Sequence, residues 1–165
     1  REQRLMLTSV DLSAFLRQIA ELWQPVAADR GISLSVHIAE GVPDMRGDEE
    51  KLRRVFDNLL KNAVQAVVDE GNAEKPHLIL RTGKEDGSVR IEVEDNGPGI
   101  GEEEQKHIFD PFYTTKEVGV GTGLGLSVSF AIIHDKHHGT IKVESVPGKG
   151  AKFIIKIPVD NSTDI

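Results

Sequence analysis

The segment VRIEVEDNGPGIG, residues 89–101, constrains the fold more than any other stretch of this 165-residue chain. Val89, Ile91 and Val93 alternate as they do in a strand with one buried face. Asp95 is the next residue in that phase, so its carboxylate turns toward the core. An unpaired buried carboxylate is costly. Asp95 therefore requires a hydrogen-bond donor: either a backbone N–H in the turn that follows, or a ligand with donors, such as the exocyclic amine of a nucleobase. Gly97, Gly99 and Gly101 come next at alternate positions, where they permit positive φ and close approach of a ligand to the backbone.

A second constraint lies in VFDNLLKNAVQAVVDE, residues 55–70, within a helix that runs from about Glu49 to Glu70. Asparagine is a poor helix former, yet Asn58 and Asn62 sit in the middle. At 100° per residue, Asn62, Gln65 and Asp69 fall within about 40° of Asn58. Leu52, Val55, Phe56, Leu59, Leu60, Ala63 and Val67 cover the other side, so the amides flank the apolar face, with Lys51, Arg54 and Lys61 beside them. Taken alone, the stripe is either a solvated helix face or a row of carboxamides facing a cleft, able to bind a hard cation or a polar ligand.

Around these two features the chain reads as alternating helices and strands. A helix from about Asp11 to Asp29 carries an apolar stripe of Leu12, Phe15, Ile19 and Leu22. Pro25 bends it or limits its regular part, and Gly31 is its C-terminal cap. ISLSVHI (32–38) is a half-buried strand. HLILRTG and SVRIEVED form a pair joined by KEDG, and TIKVES and AKFIIKIP form a closing hairpin around VPGKG. A third long helix starts near Leu124 and ends near His138–Gly139. GEEEQ is the first turn of a short helix. The fold class is α/β (α+β): a two-layer sandwich with a mixed sheet and long helices on one face.

Seven of the sixteen glycines lie between Gly97 and Gly125. GVGTGLGLSVSF places Gly119, Gly121, Gly123 and Gly125 just before and into the third helix. This arrangement is either a flexible loop with close helix packing or a set of bare backbone N–H groups for phosphate. It matches neither the P-loop nor the dinucleotide fingerprint. Upstream, IFDPFYTTK supplies Phe109, Phe112, Tyr113, Thr114, Thr115 and Lys116. The loop from about Phe109 to Thr122 is long for a compact domain, as functional or mobile loops are. An aromatic lid ending in hydroxyls and an ammonium suits a triphosphate.

A net charge of −7 and a pI near 5.4 argue against a broad nucleic-acid-binding face. With no cysteine there is neither a disulfide framework nor a thiolate metal site. No apolar run approaches a membrane span, so no direct membrane contact is expected. His134, His137 and His138 approach metal-ligand spacing, but histidines at a helix C-terminus more often cap it or face its dipole.

Four blocks in order, NLLKNA, DNGPGI, FDPFYTTK and GVGTGLGLS, resemble the N, G1, F and G2 boxes of the catalytic, ATP-binding domain of bacterial sensor histidine kinases. These belong to the Bergerat-fold superfamily with gyrase, HSP90 and MutL. The resemblance covers nearly the whole chain, and the closing hairpin also looks like the family's last one. It implies ATP or ADP with Mg²⁺ as ligands. Asp95 would accept the adenine amine, with Gly97 and Gly99 giving room for the ring. Asn62 would hold Mg²⁺, assisted by Asn58. Gly121, Gly123, Leu124 and Gly125 would lie against the phosphates. Phe109 and Phe112 would anchor the lid, and Lys116 would reach the outer phosphates. Gln65, Ile100, Thr115, Thr122 and Leu126 complete the implied nucleotide contacts, with Asn58, Asn62 and Lys116 nearest the chemistry.

The implied activity is phosphorylation of a histidine on a dimerisation domain of the same parent, then transfer to a response-regulator aspartate. None of His37, His77, His107, His134, His137 and His138 has the family's phosphoacceptor context. REQRLML accordingly reads as the start of a fragment. Residues 1–9 are expected to be a linker from the dimerisation domain, 10–159 the catalytic domain, and 160–165 a polar tail. The implied location is cytoplasmic, in a parent either free or membrane-anchored. Two positions depart from common family patterns: Gln65, where many kinases have Lys or Arg, and Ala151, where many members have Thr or Ser. Two other functions compete: a clamp-type hydrolysing ATPase and a non-catalytic nucleotide-binding module. Clamp-type relatives carry a general-base Glu four residues before the metal-binding Asn. Here that position is Asn58, which cannot take a proton near neutral pH.

Overall fold

The computed structural model describes residues 5–69, 75–113 and 125–159. Its elements are strand β1 (Thr8–Val10), helix α1 (Leu12–Asp29), β2 (Ser33–Ile38), β3 (Met45–Gly47), α2 (Glu49–Asp69), β4 (His77–Glu85), β5 (Ser88–Asp95), the short α3 (Glu102–Gln105), α4 (Gly125–Ala131), a π-helical continuation (Ile132–Lys136), β6 (Thr140–Ser145) and β7 (Ala151–Pro158).

Five strands form one mixed sheet in the order β2-β4-β5-β7-β6, with β2 parallel to β4 and the other pairs antiparallel. Its inward phase is apolar and buried: Leu78 and Leu80 on β4, Val89, Ile91 and Val93 on β5, Phe153, Ile155 and Ile157 on β7. The outward phase carries Arg81, Arg90, Glu92, Glu94, Lys152 and Lys156, which form ion pairs along and across the strands, with Glu85 and Glu144 as further partners. One sheet face thus packs under the helices and the other meets water, as the alternation in the sequence predicts. The β4–β5 hairpin closes on Asp86 and Gly87, at φ 46° and 79°, between the paired Glu85 and Ser88. Positive φ at both central residues is the type I′ geometry that Asp-Gly favours.

Helix α1 starts where the Asp11 carboxylate accepts the Ala14 N–H at 3.1 Å, an N-cap bond. It runs through Pro25 to Asp29. Gly31, at φ 74°, then lets the Gly31 and Ile32 N–H groups reach the Ala28 and Ala27 carbonyls, a Schellman closure. Leu22 departs from expectation: it is 59% exposed, because it lies roughly 100° from the centre of the buried stripe of Leu12, Phe15, Leu16, Ile19, Ala20 and Ala27. Helix α2 buries Leu52, Val55, Phe56, Leu59, Leu60, Ala63, Val64 and Val67, while Asn58, Asn62 and Gln65 are half-buried at the edge. Lys51, read as a flanking surface charge, is instead buried, because Asp48 beside it supplies the counter-charge.

Three further features differ from the sequence reading. Thr8–Val10 pairs with Met45–Gly47 as a separate two-stranded sheet, so the expected boundary at residue 10 falls inside a strand. Strands of three residues are too short for alternation to show. The third helix turns from α to π at Ile132. The histidines at the end of this helix are expected to cap it or face its dipole, and among the described residues no cluster of His, Cys, Asp or Glu could hold a metal. His137 is instead fully buried between two backbone groups. Among the described residues no helix is long and apolar enough to cross a membrane.

Gly150 sits at φ 95°, and a Cβ there would overlap the Asp95 carbonyl and stand 2.9 Å from the Asn96 Cα. Gly150→Ala should therefore lower the melting temperature by several degrees, on the scale of a positive-φ substitution that also meets backbone. A thermal melt followed by circular dichroism measures it.

Candidate functional site

Asp95 ends β5 in the inward phase, 6% exposed and paired in register with Ala151 on β7. Its carboxylate accepts the Gly97 N–H at 2.8 Å and a backbone bond from Ala151. Burial nevertheless pushes its pKa above the ordinary carboxylate range, outweighing these two donors. A carboxylate has about four acceptor positions, so two donors leave it under-satisfied.

The loop after Asp95 is strapped to the β6–β7 hairpin. The Ile100 N–H donates to Ser145 Oγ (2.7 Å), and that hydroxyl donates to the Gly150 carbonyl (2.7 Å). Gln105 Nε2 bonds the Ile100 and Ser145 carbonyls, and the Gly148 N–H reaches the Pro98 carbonyl. Gly99, at φ 81°, faces this hairpin: a Cβ would stand 2.8 Å from the Val146 carbonyl. Ser145 was missed in the sequence, although it occupies the inward phase of β6 just as Asp95 does in β5. Asn96 holds the other side, accepting the His77 N–H and donating to the Lys75 carbonyl.

Two backbone approaches bracket the polar stripe of α2. At one end, a Cβ on Gly97 would lie 3.1 Å from Asp95 Oδ1 and 3.5 Å from the Ala66 backbone, beside Gln65. At the other, Gly125 at the start of α4 abuts Asn58: a Cβ there would stand 2.8 Å from Asn58 Nδ2 and 2.9 Å from Cγ. Asn62 lies between. The bracketed stretch of α2 spans roughly 12 Å. Asn58 Nδ2 is buried with no hydrogen-bond partner, and a buried unpaired amide is unfavourable. The donor set fits a hard cation held jointly with a ligand: carboxamide oxygens at Asn58 and Asn62, with the remaining positions left to phosphate oxygens and water.

Asp57 points elsewhere, accepting the Trp23 indole N–H at 2.9 Å across α1 and α2. Phe109 packs against Phe130 of α4 and edge-on to Phe153 of β7. Phe112 does not join it: positive φ (67°) turns its side chain out, 73% exposed, so only one of the two expected lid anchors is seated. Ile100 and Leu126 pack at the edge of the core. Thr114, Thr115, Lys116, Gly119, Gly121, Thr122, Gly123 and Leu124 lie outside the described residues.

Residues 47–161 match the model of the histidine kinase-, DNA gyrase B- and HSP90-like ATPases. The chain belongs to that family. This ATP-binding ATPase domain is 38% identical over 157 residues to the sensor histidine kinase ZraS of Escherichia coli O157:H7, covering 94% of the chain and 32% of that protein. It superposes on the nucleotide-free catalytic domain of histidine kinase ThkA with a TM-score of 0.81 at 30% identity, covering 93% of this chain and 96% of that one. ThkA in complex with the response regulator TrrA gives the same score at 28% identity, covering 99% and 45%. Full-length ShkA in complex with AMPPNP also scores 0.81, at 31% identity, covering 96% of this chain and 32% of that one. The chain spans about a third or less of the length of such curated relatives.

The raised pKa of Asp95 has a consequence for this ATPase domain. Its ionised form is less favourable folded than unfolded, so stability falls as pH rises from the unfolded carboxylate value through the folded one. Asp95→Asn removes that penalty. At pH 7 the variant should melt at or above the wild-type temperature, measured by calorimetry without nucleotide.

Proposed function

We propose that this chain is the ATP·Mg²⁺-binding catalytic domain of a two-component sensor histidine kinase. Its parent would transfer the ATP γ-phosphate to a histidine on a separate dimerisation domain, for onward transfer to a response-regulator aspartate. The observation that carries the reading is the pair of under-satisfied polar groups at the two ends of the α2 stripe. The buried Asp95 carboxylate stands at one end and the unpartnered Asn58 amide at the other. A ligand with an amine-bearing base at one end and phosphates at the other satisfies both. The sensor histidine kinases among its relatives, and the kinase complexes with AMPPNP and with a response regulator, support the assignment.

In this reading Asp95 accepts the exocyclic amine of adenine. Its own position is fixed by the Gly97 and Ala151 N–H groups, and Gly97 keeps the loop close to α2. Asn62 and Asn58 offer amide oxygens to Mg²⁺, which when bound neutralises charge on the phosphates. Gly125 keeps α4 tight against Asn58, and Phe109 fixes the base of the segment that leads into the glycine cluster. The cluster itself and Lys116 are assigned to the phosphates. In the transfer, the bond between the γ-phosphorus and its bridging oxygen breaks, a bond to an imidazole nitrogen forms, and ADP leaves. The chain's residues position and shield the donor; the acceptor histidine belongs to the dimerisation domain. That domain also makes the parent a homodimer. The proposed partition is a catalytic domain that starts with β1 at Thr8, two residues before the expected boundary, and runs to residue 159, with the residues before it as the incoming linker; the proposed location is the cytoplasm.

Clamp-type hydrolysis would need a base near the γ-phosphate. Asn58 is an amide, and Asp57 is turned to Trp23. The isolated chain should bind ATP·Mg²⁺ but hydrolyse it very slowly. By titration calorimetry, Asp95→Asn should weaken binding about tenfold to a hundredfold, the loss of a hydrogen bond to a charged group. Unchanged affinity would remove the adenine assignment, and brisk steady-state phosphate release would favour the clamp-type reading.

A further inference from the structure

His137 is fully buried, and nothing in the phosphotransfer reading uses it. Both ring nitrogens are engaged. Nδ1 lies 2.8 Å from the Ile132 carbonyl, which can only accept, so Nδ1 carries the proton. Nε2 lies 3.0 Å from the Asp48 backbone N–H, which can only donate, so Nε2 carries the lone pair. The two bonds select one neutral tautomer. Burial acts in the same direction, holding the imidazole pKa below its ordinary value, with Asp48, Lys51 and His138 as the charged or titratable groups that act on it.

Asp48 is engaged on every side. Its carboxylate accepts the Lys51 N–H (3.1 Å) as the N-cap of α2, and the Met6 N–H (2.9 Å) from the segment leading into β1. Its carbonyl accepts the Leu52 N–H. Burial alone would raise its pKa, but the Met6 and Lys51 N–H donors hold it below the usual range. Gly47 leaves space for the ring: a Cβ there would come 3.4 Å from His137 Nε2 and 2.9 Å from Leu52 Cδ1.

Helix lengths supply a second observation. Helix α2 and the α4–π helix run antiparallel, with Gly125 against Asn58 at one end and His137 against Asp48 at the other. Asp48 to Asn58 is ten residues and Gly125 to His137 is twelve. At the α-helical rise these would span roughly 15 and 18 Å. Ile132–Lys136 is π-helical. Its i→i+5 winding puts more residues in each turn and so advances less per residue. The π segment therefore shortens the longer stretch and narrows the difference between the two.

We infer that His137 is a positioning residue for nucleotide binding: by tying Asp48 to the end of the α4–π helix, it sets the spacing between Asn58 and Gly125 at the phosphate end of the cleft. The inference rests on the nucleotide reading above. Its test is titration calorimetry of the chain with ATP·Mg²⁺ at pH 7.5, with circular dichroism to show that each variant is folded. His137→Leu fills the space without an acceptor, and should bind about tenfold more weakly than wild type. His137→Gln returns an acceptor oxygen to the Asp48 N–H, and should bind within about threefold of wild type. Should His137→Leu fail to fold, His137→Asn replaces it, being polar but one methylene too short to reach Asp48. Folded Leu or Asn variants with wild-type affinity overturn the inference. So does a Gln variant as weak as they are, because the ring's bulk rather than its hydrogen bond would then be what matters. A wild-type chain that binds no ATP overturns the nucleotide reading itself, and this inference with it.

Discussion

Placing the Asp95 carboxylate in the core phase of a strand opposes folding, and much of the surrounding structure serves to hold it there. Its pairing with Ala151 in the centre of the sheet leaves it no alternative orientation. The turn through Gly97 supplies one N–H, and Gly150 must be a glycine because its backbone lies against that of Asp95. Ser145, Gln105 and Asn96 then fasten the loop to the strands on either side. None of these bonds contributes much by itself, since a net intramolecular hydrogen bond is worth about 1 kcal/mol. Together they fix a charged group that would otherwise seek water, which is the preorganisation a specific binding site requires.

The helix layer meets that fixed point from above. Helix α2 serves two purposes at once: a wide apolar face that packs on β4 and β5, and a narrow amide stripe left at its edge. Its start is held by Asp48 and its cleft end by close contact with the Asp95 loop. The water-facing side of the sheet contributes little by comparison. Its ion pairs along and across the strands are partly exposed and individually weak, although their aliphatic stems keep Ile154 buried among charges.

Much of this was readable in the chain because the signals are local. Asp95 stood out by strand phase alone, and the Asn58–Asn62–Gln65 stripe by helical angle. Asp-Gly announced the β4–β5 turn, and TIKVES and AKFIIKIP around VPGKG announced the closing hairpin of β6 and β7. What escaped depends on partners distant in sequence. Lys51 looked like a surface lysine until Asp48 came beside it, and His137 finds its acceptor role 89 residues away. Leu22 and Phe112 were assigned by residue type, while their exposure is decided by a helix-edge angle and a positive φ. Ser145 is the exception, because the phase rule that picked out Asp95 applies to it equally.

The bond between Trp23 and Asp57 gives the domain a built-in optical probe. Trp23 is the chain's single tryptophan, half-buried and donating to the residue next to Asn58. Indole emission responds to the polarity and charge around the ring, so the whole intrinsic tryptophan signal comes from one seam between two helices. A shift of α2 relative to α1 would change the colour and intensity of that emission, with no label attached and no residue of the cleft altered.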